Sequence, residues 1–119
     1  MDTHTLLWML DGDPRVEAVR GAIEDERTTV LVSAACVWEA AIKSALGKLR
    51  APADLPDLLD RFAFERLPVT DRHAWKVREL PRVHKDPFDR LLSAQAICEQ
   101  ARIVSADPVF DSYGVDRLW

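Results

Sequence analysis

The sequence predicts an α/β fold, and three observations carry that expectation. Short β-branched or apolar runs alternate with longer stretches of helical spacing, the pattern of parallel strands joined by crossover helices and covered on both faces. Asp-Pro pairs at Asp13-Pro14, Asp86-Pro87 and Asp107-Pro108 each place a good capping residue before a proline suited to a first helical turn. The chain has 119 residues, 48% of them hydrophobic and 30% charged, which supports one core and is too short for two. One domain over residues 1–119 is therefore expected.

The elements follow in order. Thr5–Leu10 is an apolar run that reads as a helical turn, and Asp11-Gly12-Asp13-Pro14 is a turn leading into a helix. Val16, Val19, Ala22 and Ile23 keep helical spacing there. Thr29–Ser33 is β-branched and apolar, a buried strand. An Ala-rich helix runs from Ala34 to Leu46 and ends near Gly47. Pro52 and Pro56 punctuate a loop, and Leu55, Leu58, Leu59 and Phe62 mark another helix. Phe64–Val69 is a short strand, after which Thr70 caps a helix reaching Leu80, stopped by Pro81. Asp86-Pro87 opens a helix to about Ala101. Arg102–Ser105 is a strand, Asp107-Pro108 a helical turn, and Val115–Leu118 a last strand. Open parallel sheets place their sites at the carboxyl ends of strands.

Composition narrows the class of function. The formal net charge of −4 argues against a protein that coats nucleic acid by bulk electrostatics. The charge is unevenly placed, however. Residues 1–60 hold 6 basic and 11 acidic side chains, and residues 61–119 hold 10 and 9. Within 61–90, Arg61, Arg66, Arg72, Lys76, Arg78, Arg82, Lys85 and Arg90 face five acids. That stretch reads either as a solvated surface or as a contact for phosphates. Cys36 and Cys98 sit in apolar helical surroundings and read as buried free thiols. No apolar run nears the ~20 residues of a membrane span, and the start lacks a signal-type core, so a cytoplasmic protein without a membrane partner is expected.

The chemistry-bearing residues are acids. Asp2 opens the chain, Glu39 lies in the helix after Val32-Ser33, Asp86 and Asp89 open the long helix, and Asp107 follows Val104-Ser105. Each has a structural explanation as well. Asp107 and Asp86 fit helix caps, Asp89 completes a capping-box-like pattern, and Glu39 can pair with Lys43 four residues on. Glu39 fits the surface least, because Val37, Trp38, Ala40, Ala41 and Ile42 surround it. A lone buried carboxylate is costly, and a divalent cation shared with other carboxylates would relieve it.

Four stretches together resemble a known family. They are Asp2-Thr3-His4-Thr5-Leu6-Leu7-Trp8, Ser33–Lys43 with Gly47-Lys48-Leu49, His84–Ala96, and Val104–Phe110 followed by Tyr113-Gly114-Val115. This pattern resembles PIN-domain ribonucleases, in particular VapC-type toxins of bacterial type II toxin–antitoxin pairs. The resemblance implies a three-layer α/β/α fold with a mainly parallel central sheet. It implies an acidic quartet of Asp2, Glu39, Asp89 and Asp107 around Mg²⁺ or Mn²⁺, with Asp86 and Ser105 as secondary members. It also implies an endoribonuclease in which metal-activated water attacks a phosphodiester of transfer or ribosomal RNA, leaving a 5′-phosphate and a 3′-hydroxyl. Arg90, Lys85 and His84 become candidates for RNA contact. A cognate antitoxin and a homodimer are the implied protein partners, with Leu6, Leu7 and Trp8 open to either partner surface or core.

One departure stands out. Members of that family carry apolar residues before the first Asp, forming the central strand, whereas here Met1 directly precedes Asp2. A first strand cut short is therefore expected, from a start assigned downstream of the true one. The alternative is a weakened or inactive copy, a PIN-fold module that binds an antitoxin-like partner without cutting RNA. Two other Mg²⁺-binding classes are excluded. A receiver domain needs a late Lys and none follows Lys85, and a haloacid dehalogenase needs a second early Asp that Asp2-Thr3-His4 lacks.

Overall fold

The chain begins in a helix because its second residue can cap one. In the computed structural model, which describes residues 1–83 and 85–119, Asp2 is extended and its side chain accepts from the Thr5 amide at 2.8 Å. That bond satisfies one of the orphan amides of α1, Thr3–Asp11. Leu6 and Leu7 are buried in the core, so the apolar start serves the interior; Trp8 is half-buried, edge-on to Trp119 with Arg15 over its ring. Gly12 at φ 66° ends α1 in the left-handed conformation that a side chain would strain. Asp13 and Pro14 then start a 3₁₀ turn, Pro14–Val16, leading into α2, Glu17–Ile23.

The strands are shorter than predicted. β1 is Leu31–Ser33 and pairs in parallel with β2, Glu65–Leu67, setting Val32 opposite Arg66. β3, Ile103–Val104, pairs in parallel with β4, Arg117–Leu118. The α/β class with parallel pairing holds, but the hydrogen bonds define two separate pairs in place of one continuous sheet. Between them lie Met1 and Asp2. The Met1 ammonium donates to the Leu31 carbonyl at 3.2 Å, and the Asp2 amide donates to the Val104 carbonyl at 3.0 Å. Two residues thus bridge β1 and β3, and they bring Asp2 to the carboxyl ends of both. Burial lowers the pKa of the Met1 amino group.

Helices complete the core. α3, Ala34–Ala45, follows β1 without a loop, capped by the Ser33 hydroxyl. α4, Leu55–Asp60, buries Leu55 and Leu59. The helix expected from Thr70 to Leu80 divides into α5, Asp71–Lys76, and a 3₁₀ turn, Val77–Glu79. α6, Pro87–Glu99, is capped by Asp86, and a 3₁₀ segment Pro108–Tyr113 by Asp107. Leu6, Val32, Cys36, Leu59, Ala94 and Phe110 are wholly buried and form the centre on which these elements meet. Among the described residues, no helix is long and apolar enough to cross a membrane.

Candidate metal centre

The predicted acids are delivered by four different elements. Asp2 comes from the residue bridging β1 and β3, Glu39 from the second turn of α3, Asp89 from the first turn of α6, and Asp107 from the turn after β3. Ser105 ties two of them together. Its hydroxyl donates to the Asp2 carboxylate and accepts from the Asp107 amide at 3.0 Å, while the side chain is fully buried. Asp2 is itself buried, with its other oxygen on the Thr5 amide, so both of its carboxylate oxygens are held. Arg117 steadies the same turn by donating to the Ser105 carbonyl at 3.1 Å while it pairs with Asp111.

Glu39 is 5% exposed and pairs with Lys43 at 2.5 Å. The spacing expected for an exposed helix pair therefore serves a buried acid. Cys36 connects this acid to Asp2, because the negative fields of both act on its thiol. Burial, the larger cause, pushes that thiol up to about 11, so it stays protonated at neutral pH. Cys98 is free as well but only half-buried, short of the burial expected for it.

On the other side of Glu39, Lys43 feels Asp86 and Asp89. Asp86 is the α6 cap, accepting from the Phe88 and Asp89 amides at 2.8 and 3.3 Å. Asp86 and Asp89 are both half-buried, whereas Asp107 is exposed. Of the basic candidates, Lys85 is exposed. Arg90 is half-buried and donates to the Pro81 and Val77 carbonyls at 2.7 and 3.1 Å, fastening the segment before α6. His84 lies outside the described residues.

The donors suit a hard divalent cation, being carboxylate oxygens from separate elements. Among the described residues, however, no three such side chains stand together as a ready-made metal cluster. Ser105 and Thr5 hold Asp2, and Lys43 holds Glu39. Buried hydroxyls of Thr5 and Ser93, one turn beyond Asp2 and Asp89, have no hydrogen-bond partner among the described residues. Such orphan oxygens are ordinarily completed by water or an ion.

A second polar network escaped sequence reasoning. The Ser33 hydroxyl donates to Gln95 Oε1 at 2.5 Å, and Gln95 Nε2 reaches the Pro68 carbonyl and His73 Nδ1, both at 3.3 Å. His73 Nδ1 accepts from the Thr70 amide at 3.1 Å, so its Nε2 carries the proton toward Glu99 at 2.8 Å. These residues join β1, α5 and α6. Ser33 and Gln95 lie inside stretches that carry the family resemblance, but His73 and Glu99 lie outside them, and no spacing in the sequence ties the four together.

The PIN domain family model matches residues 1–116. The chain belongs to the PIN domain family. Among solved structures, this PIN domain is similar to VapBC2 from Rickettsia felis bound to a DNA fragment from their promoter. The match has a TM-score of 0.73 at 16% identity and covers 98% of this chain and 93% of that one. At that identity the likeness is one of fold. No curated protein matches the chain.

Proposed function

We propose that this PIN domain is a Mg²⁺- or Mn²⁺-dependent endoribonuclease acting as the VapC-type toxin of a toxin–antitoxin pair. One observation supports the reading: the acids are linked across separate elements, Asp2 to Asp107 through Ser105, and Glu39 to the field of Asp89 through Lys43. A bound divalent ion would supply Lewis acidity there, activating water and offsetting charge on the phosphate. The chain's own groups would hold and orient. Ser105 fixes Asp2 relative to Asp107, and the α6 cap fixes Asp89 relative to Asp86. Lys85, Arg90 and His84 flank the acids of α6 in sequence and are proposed to meet the RNA backbone, Lys85 being the more exposed of the two described.

A cognate antitoxin is the proposed protein partner, with homodimerisation as a further expectation. With Leu6 and Leu7 buried, the surface proposed for contact moves to α3 and its C-cap, where Trp38, Ile42 and Leu46 are exposed four residues apart. A second reading, a module that binds its partner without cleaving RNA, draws on the capping and pairing already engaging these acids.

RNA cleavage by the purified protein in Mg²⁺ or Mn²⁺ separates the two. Asp89→Asn is expected to lower the rate by about 100-fold or more, as loss of a group stabilising transition-state charge does. Equal rates in wild type and Asp89→Asn would discard the assignment of Asp89. No cleavage by wild type on transfer or ribosomal RNA would favour the binding module.

A further inference from the structure

The acids at this site are not balanced by water alone. Glu39 is buried among core residues, where an unpaired carboxylate is strongly disfavoured. Lys43, one turn further along α3, reaches back to it at 2.5 Å, with the acid on the N-terminal side, the favourable order. The reach is guided by packing. The Lys43 ammonium lies 5.7 Å from the centre of the Phe88 ring, and Phe88 in turn meets Trp38 edge-on at 4.8 Å. An aromatic wall spanning α3 and α6 thus steers the ammonium into the seam between Glu39 and the acids that open α6. The same ammonium lies in the field of Asp86 and Asp89.

We propose that Lys43 is the resident counter-cation of this site, holding Glu39 where a divalent ion would and yielding it when such an ion binds. The inference rests on the divalent-ion reading above. Two cations drawn to one carboxylate at contact distance repel each other, in a half-buried seam where solvent screens them incompletely. Lys43 therefore stabilises the metal-free protein and opposes metal entry. That makes it a positioning residue, acting through Glu39.

Calorimetric titration of Mn²⁺ into the metal-free full chain tests this, with wild type, Lys43→Met, Lys43→Gln and Lys43→Arg compared. Removing the charge is expected to tighten Mn²⁺ binding about three- to tenfold, less as salt is raised, while Lys43→Arg stays near wild type. In the background of Glu39→Gln, the same removal should give a smaller gain, because the two cations no longer share a carboxylate. Metal-free Lys43→Met should also melt below wild type, with the gap closing as Mn²⁺ is added. A merely structural lysine would lower the melting temperature without tightening Mn²⁺ binding. Equal or weaker Mn²⁺ binding by folded Lys43→Met or Lys43→Gln would overturn the inference and leave the divalent-ion reading standing. No Mn²⁺ binding by wild type or any variant would overturn both.

Discussion

Ser105 shows how one small side chain sets the geometry of a charged site. Its hydroxyl both donates to Asp2 and accepts from the Asp107 amide, and it has no exposure to solvent. Removing it leaves a buried carboxylate short of a donor and an amide short of an acceptor. Ser105→Ala is therefore expected to cost about 1–3 kcal/mol of stability, the range for a buried group left unsatisfied beside a charge. Urea unfolding measures this, and a change under 0.5 kcal/mol would mean that water replaces the hydroxyl without loss. The thiols offer a second check. Cys36 is buried with its pKa held high, whereas Cys98 is half-buried. A thiol reagent at pH 8 should label Cys98 quickly and Cys36 only on unfolding, since the thiolate is the reacting form. Two fast-reacting thiols per native chain would contradict the packing around Cys36.

At the scale of elements, the helix starts were the most legible feature of the sequence. Asp13-Pro14, Asp86-Pro87 and Asp107-Pro108 each cap a helical segment, and Thr70 caps α5, because capping depends on local chemistry alone. What those segments become was less legible, since two of the three Asp-Pro starts lead into 3₁₀ turns. The local role also separates the two acids of α6. Asp86 accepts from two amides as the cap, whereas Asp89 sits one turn in. Asparagine caps nearly as well as aspartate, so Asp86→Asn should keep stability within about 0.5 kcal/mol, while Asp86→Ala should lose about 1 kcal/mol. If Asp89 is a ligand and Asp86 a cap, RNA cleavage survives Asp86→Asn far better than Asp89→Asn. Equal loss of cleavage in both, at unchanged stability, would make Asp86 a functional acid too. The Glu39–Lys43 pair belongs to the same scale. Its i,i+4 spacing was readable, and so was the burial of Glu39 from its apolar neighbours, but the approach of Lys43 to the acids of α6 depends on α3 meeting α6, which no local pattern records.

Over the whole molecule, pairing is what the sequence recorded least. Thr29–Ser33 reads as five strand residues, yet only Leu31–Ser33 finds a partner in β2, because strand length depends on the neighbour as much as on propensity. Electrostatics is more predictable at this scale. Several surface acids are held below the ordinary carboxylate range by a basic neighbour: Asp13 at about 2 by Arg15, and Asp25, Glu79 and Asp111 by Arg27, Lys76 and Arg117. Their folded pKa values lie below the unfolded ones, so in the window between them the unfolded chain binds more protons and stability rises with pH. The stabilisation is complete above the unfolded value of about 4 and is lost as pH falls through the folded values, for Asp13 through about 2. These pairs lie at the surface, so each contributes little and salt weakens it. The melting temperature should therefore fall between about pH 4 and pH 2, and the slope should flatten in the triple variant Arg15→Met, Arg27→Met, Arg117→Met. An unchanged slope would mean that these surface pairs do not set the acid sensitivity.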